Sequence, residues 1–272
     1  MNSQKFLFNT LVAIYLFGLM ACSHSGVTPT GEETKGVPAE SAIQFDSAGS
    51  ASLPVTSPQE KKVLVLKNFE VGNGTNRMLI VGVQAEEGGK ENIGDMVISS
   101  LTYGDRTLTL IPGSEVQSSS MWRGDEYFLK VSLYYLLNPP SGKHNITVTF
   151  AGPVTSGNLG AVSLFNAKQA APVNLVTSRQ KNKNRIMTQI TTKNDGAWVL
   201  DIVGGGHKSK LRTRGKGHVG RFNSQEKSGG KSSLLGGTLS VPSAGEVTLK
   251  WVQARRTVNR LAHVVIEIEP HK

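Results

Sequence analysis

Beyond residue 60 the apolar residues recur at every second position, and that period decides the fold class. Ile146, Val148 and Phe150 alternate with Thr147 and Thr149, and Val247, Leu249 and Trp251 with Thr248 and Lys250. Val264, Ile266 and Ile268 close the pattern against Val265, Glu267 and Glu269. The continuous runs Val63-Leu64-Val65-Leu66 and Met78-Leu79-Ile80-Val81-Gly82-Val83 predict strands covered on both faces. Turn signals separate them, as in Gly72-Asn73-Gly74, Asn138-Pro139-Pro140-Ser141-Gly142 and Pro242-Ser243-Ala244-Gly245. No 3.6-residue apolar stripe interrupts the series. Short strands joined by Gly and Pro turns predict an all-β fold, a two-sheet antiparallel β-sandwich of jelly-roll type over residues 61–272.

The first two dozen residues follow a different logic. Lys5 precedes an apolar run from Phe6 to Leu19, too short for an ordinary membrane-spanning helix, and the run ends in Leu19-Met20-Ala21-Cys22. This resembles a bacterial lipoprotein signal. The resemblance implies removal of residues 1–21 and acylation of Cys22, giving a membrane anchor without a transmembrane helix. One acyl chain holds only marginally, at roughly 0.8 kcal/mol per buried CH₂, whereas several chains on one cysteine hold durably. Ser23 stands where an aspartate would signal inner-membrane retention, so the resemblance implies the outer membrane, with either face open. The other reading is an ordinary signal peptide with a chance cysteine. Residues 22–60, rich in Ser, Thr, Pro, Gly and Glu, are expected to form a disordered tether, with Ala42-Ile43-Gln44-Phe45 as a candidate first edge strand.

Cys22 is the only cysteine, so the body has no disulfide, thiol nucleophile or cysteine metal ligand, and its stability rests on an apolar core. The net charge of +10 and a pI near 9.7 favour acidic polymers or anionic surfaces as partners.

The segments Asn76-Arg77-Met78-Leu79-Ile80-Val81-Gly82-Val83, Ser99-Ser100-Leu101-Thr102-Tyr103-Gly104 with Leu108-Thr109, and Tyr134-Tyr135-Leu136-Leu137-Asn138-Pro139-Pro140-Ser141-Gly142 leading into Ile146-Thr147-Val148-Thr149-Phe150 resemble a β-sandwich module of secreted bacterial surface proteins. The resemblance covers roughly residues 61 to 269. It implies the sandwich and an extracytoplasmic setting, and no activity or catalytic residue.

Two rows of alternating cations carry the most functional content. Arg179, Lys181, Lys183 and Arg185 form one, and Lys208, Lys210, Arg212, Arg214 and Lys216 the other. On an extended chain residues two apart share a face at about 6.6 Å spacing, so each row is a ladder of positive charge. If the rows meet, they form a basic strip for carboxylates, sulfates or phosphates, with Arg binding bidentately and Lys as a point charge. The glycines around the second row also fit a mobile, solvated hairpin. Arg255, Arg256 and Arg260 either extend the strip or keep an edge soluble. Trp122, in a loop by composition, offers a stacking surface for a sugar ring. Trp198 and Trp251 read as core.

His207, His218, Arg212 and Tyr103 can be cast as base and carboxylate-neutralising groups of a uronate lyase. The Gln-x-His and Tyr-x-Lys elements of jelly-roll alginate lyases are missing. The acidic stretch from Glu86 to Asp95 reads as a solvated hairpin, matching no calcium loop. Gly229-Gly230-Lys231-Ser232 lacks the first glycine of a phosphate loop, since Gln225 stands there. Asp125 and Glu126, adjacent in sequence, face opposite sides of a strand. No motif demands a cofactor or metal. The expectation is a lipid-anchored protein binding an acidic polysaccharide or another polyanion, nucleic acid being less favoured. The alternatives are a polysaccharide lyase and a structural envelope protein docking on an acidic partner.

Overall fold

The computed structural model describes residues 42–53, 62–88, 93–122, 124–206, 210–225, 232–253 and 258–272. Cys22 and the signal segment, His207, Lys208, Arg255, Arg256 and residues 229–231 lie outside them.

Alternation in the chain becomes alternation of layers. The first half comprises β1 (Gln44–Ser52), β2 (Val63–Val71), β3 (Met78–Gly88), β4 (Ile98–Tyr103), β5 (Arg106–Thr107), β6 (Thr109–Leu110), β7 (Val116–Trp122), β8 (Asp125–Leu137), β9 (Gly142–Phe150) and β10 (Ser156–Phe165). The second comprises β11 (Leu175–Lys183), β12 (Arg185–Thr191), β13 (Ala197–Gly205), β14 (Arg212–Arg214), β15 (Val219–Gln225), β16 (Ser233–Val241), β17 (Glu246–Val252) and β18 (Val258–Ile268). In the first half β1-β10-β3-β8 form one sheet, with β6 and β7 both on β8, and β2-β9-β4-β5 form another. In the second the orders are β11-β18-β13-β16-β15 and β12-β17-β14. With β5 and β6 set aside, each half has the order first-eighth-third-sixth-fifth over second-seventh-fourth. The chain therefore contains the same antiparallel topology twice.

The two large sheets lie back to back. Leu79, Val81 and Val83 of β3 pack with Leu101, Ile146 and Val148 of the outer sheet. Met78 and Ile80 of the same strand, with Leu133, pack against Ile202, Val264 and Ile266. Beyond these, Ile186, Trp251, Ile190 and Leu249 close the second sandwich against Val203, Leu261, Val199 and Val265. This burial on both faces is why β3 and β18 carry long apolar stretches.

The all-β sandwich of the sequence reading is present, with four sheets among the described residues where two were expected. Three expectations about individual strands change. The candidate edge strand at Ala42-Ile43-Gln44-Phe45 is present and longer than expected, Gln44–Ser52 paired with β10 at the edge of its sheet, so the sandwich includes residues assigned to the tether and does not start at 61. Its small side chains suit a close approach: a Cβ on Gly49 would stand 3.3 Å from both Leu66 and Phe69. Val63-Leu64-Val65-Leu66 lies in an outer sheet, with Val63 exposed. Conversely, Val265 and Glu267, expected on an open face, are buried. Glu267 accepts hydrogen bonds from the backbone N–H groups of Lys193 and Asn194 and from the side-chain amide of Asn174, at 2.6–3.0 Å.

Candidate functional site: a basic outer sheet

The smallest sheet gathers the cations. Along β17, Trp251 turns inward, opposite buried Ile186 of β12 and half-buried Thr213 of β14. Period two then turns the neighbouring rows outward. One is Arg185–Val252–Arg212 and the next Met187–Lys250–Arg214, each crossing β12, β17 and β14. Arg185, Arg212, Arg214 and Met187 are exposed and Lys250 is half-buried. Among the described residues none of these four cations has a carboxylate within ion-pair distance. Glu246 ends the same face, four residues along β17 from Lys250 and so about 13 Å away. Lys216 projects from the turn after β14, between Gly215 and Gly217, which both have positive φ. Lys210 precedes β14, its N–H donating to Gln253 Oε1 at 2.8 Å.

The two expected rows therefore meet only in part. Arg185 joins Arg212 and Arg214, while Arg179, Lys181 and Lys183 stay on β11, the edge of the neighbouring large sheet. Lys181 turns toward the first sandwich and donates to Ser119 Oγ on β7 at 3.3 Å. Trp122 ends that same strand, not a loop, and pairs through its backbone with Asp125. Asn182 interrupts β11 with a φ of 52°.

Beneath the basic sheet lies a polar network that the sequence reading missed. Asp201 of β13 is fully buried; its Oδ2 accepts from Trp251 Nε1 at 2.6 Å and is 2.9 Å from His263 Nε2, while its Oδ1 is 3.1 Å from His218 Nε2. His263 Nδ1 continues to Thr188 Oγ1 at 2.7 Å, which meets Ser178 Oγ at 2.5 Å. Burial pushes the Asp201 carboxyl upward, but hydrogen bonds and charge from His218 and His263 outweigh it and hold the group well below the usual carboxylate range. The hydroxyl–histidine–carboxylate chain resembles a nucleophile relay on paper. Thr188 is only 4% exposed, so the chain ties the two sheets together rather than presenting a nucleophile.

A second buried pair joins the two sandwiches. Arg260 of β18 forms an ion pair with Glu86 of β3, donates to Ser120 Oγ at 2.8 Å and lies 5.5 Å from the Tyr127 ring centroid. Burial pulls its guanidinium down to about 10. The expectation that Arg260 extends a surface strip is thus corrected. So is that of a solvated Glu86–Glu87 hairpin, since Glu87 accepts from the Thr155 N–H and hydroxyl at 2.6 and 2.9 Å. Neither residue announced its partner, because both partners are distant in sequence.

Among the described residues cast for a lyase, Tyr103 stands apart from Arg212 and His218, in the other sandwich. Tyr103 is buried in the first sandwich, donating to Gly142 O at 2.8 Å, and burial pushes its hydroxyl up to about 12. His218 lies in the second sandwich on Asp201. Among the described residues no cluster of three or more His, Cys, Asp or Glu could hold a metal, and no helix is long and apolar enough to cross a membrane. No family model matches the chain, and no curated protein matches it either.

Proposed function

We propose that this chain is a lipid-anchored protein of the bacterial cell envelope whose outer three-stranded sheet binds an anionic polysaccharide without transforming it. The observation that carries the reading is the face formed by Arg185, Arg212, Arg214 and Lys250, four cations on three adjacent strands with no ion-pair partner among the described residues. Surface cations with no acidic neighbour raise the local potential, and a repeating polyanion meets several at once. Arg supplies forked donors to carboxylate or sulfate groups, and the rigid sheet holds those donors at fixed spacing. The anchor rests on Leu19-Met20-Ala21-Cys22 alone.

The test is retention of the mature chain, with Cys22→Ser for solubility, on a polyuronate, a sulfated glycan, a neutral glycan and DNA at low and high salt. Salt-sensitive retention on an acidic glycan, reduced by Arg212→Glu with Arg214→Glu, is expected. Indifference to every polyanion, or retention unaffected by the substitutions, overturns the reading. Incorporation of a labelled fatty acid, abolished by Cys22→Ala, tests the anchor separately.

A further inference from the structure

Among the described residues the two sheets of the second sandwich do not join along the side of β14 and β15. Among the described residues β14 pairs only with β17 and β15 only with β16, and no backbone hydrogen bond joins these two strand edges. Between them lies a cleft of about 550 Å³. Leu211, Leu235 and Trp251, all buried, make its floor; Arg212, Thr213 and Asn223 stand on its rim. The turn Gly215-Lys216-Gly217 joins the strands at one end and closes the seam there.

We propose that this seam receives an extended peptide segment of a partner protein, alternating acidic and apolar residues, which adds as a strand between β14 and β15. The dimensions fit. Sheets packed face to face stand about 10 Å apart and neighbouring strands about 4.8 Å, so one added strand spans the gap between the two edges. The outward backbone groups of the two edge strands supply the hydrogen bonds, as in other strand additions. Alternation sets the side-chain pattern: one residue turns down onto Leu211, Leu235 and Trp251, where an apolar group is required. Its neighbours turn out beside Arg212 and Arg214, where the charge asks for Asp or Glu. A flat sugar ring has no row of donors and acceptors to match two strand edges. A peptide does.

The proposal shares Arg212 and Arg214 with the polymer-binding face but does not depend on it. The probe is a blocked synthetic peptide alternating aspartate and valine, with a lysine–valine peptide and a polyuronate as comparisons. Amide hydrogen exchange of the mature chain is followed by NMR. The expected result is slowing of exchange by about tenfold or more at amides of β14 and β15 with the acidic peptide alone. Arg212→Gln with Arg214→Gln should weaken it, while Arg185→Gln with Lys250→Gln, outside the seam, should leave it intact and weaken polyuronate retention instead. Protection by the polyuronate but not the peptide gives the seam to the glycan and overturns the proposal. So does peptide binding that leaves β14 and β15 unprotected.

Discussion

Arg185 and Arg212 face the same residue from opposite sides: each is the antiparallel partner of Val252, on β12 and β14 respectively. Their Cα atoms are thus two strand spacings apart, about 10 Å, a separation fixed by backbone hydrogen bonds and not by their own flexible side chains. An exposed ion pair contributes about 0.2–1 kcal/mol, so Arg185→Gln or Arg212→Gln should each weaken retention of a polyanion up to about fivefold. The double variant should approach the product of the two effects, because each arginine meets a different group on the polymer. Salt titration on an acidic glycan column measures both, and equal retention of all four forms would remove the basic sheet from the explanation.

Asp201 governs the acid side of the stability curve. Its carboxyl titrates lower in the folded chain than the roughly 3.9 of an unfolded aspartate, so its contribution is complete above about pH 4 and is lost as pH falls below that. Asp201→Asn removes this dependence and leaves N–H donors of Trp251, His218 and His263 competing for one acceptor. A loss of about 3 kcal/mol at neutral pH is expected, as for other buried charge pairs broken at one partner. Urea unfolding from pH 3 to pH 7 should give a flatter acid limb for the variant; an unchanged slope would mean the network carries no charge.

Glu86 and Arg260 set up a different comparison. Replacing either alone by an apolar residue strands a buried charge between the sandwiches, at a cost of about 3–5 kcal/mol. Replacing both, as Glu86→Leu with Arg260→Met, restores a neutral interface and should recover most of that loss. Chemical denaturation of the four forms closes the cycle. Additive losses in the double variant would show that the pair is not coupled.

Which parts of this structure were readable in the sequence follows from what kind of contact made them. Strands such as β9 and β17 were visible because one face meets water, and the alternation Ile146-Thr147-Val148-Thr149-Phe150 records that directly. Layer number was hidden, since β3 buried on both faces and β2 buried on one are both written as apolar runs. β1 was legible only at its start, in Ile43 and Phe45; its remainder was hidden because close packing asks for Gly49 and Ala51, residues also typical of linkers. Arg212 and Arg214 could be read as sharing a face; that Arg185 joins them depends on β17 lying between, a long-range pairing. Asp201, His218 and His263 meet only in the folded chain.

Phe222 reaches from β15 into the contact between the two large sheets. A Cβ on Gly160 would stand 2.0 Å from its ring and one on Gly236 2.3 Å, so both glycines are where the ring needs space. Gly160→Ala should cost about 1–3 kcal/mol through overpacking. Phe222→Leu in the same chain should return part of it. Thermal unfolding of the single and double variants distinguishes this from a backbone effect of the glycine, in which case the second substitution would only add to the damage.

β1 covers the edge of β10, its Asp46 accepts the Gly72 N–H at 2.9 Å, and Ala51 O accepts from Ser224 of the second sandwich at 2.7 Å. Phe45 adds its ring, 4.0 Å from the Arg221 guanidinium of β15. One strand therefore binds both halves. A chain beginning at Lys61 exposes the β10 edge and removes these ties, and an unpaired edge is a template for association. It should be aggregation-prone or unfold at much lower temperature than a chain beginning at Ser41. If the two chains unfold alike and remain monomeric by light scattering, β1 is an accessory strand and the folded unit begins at β2.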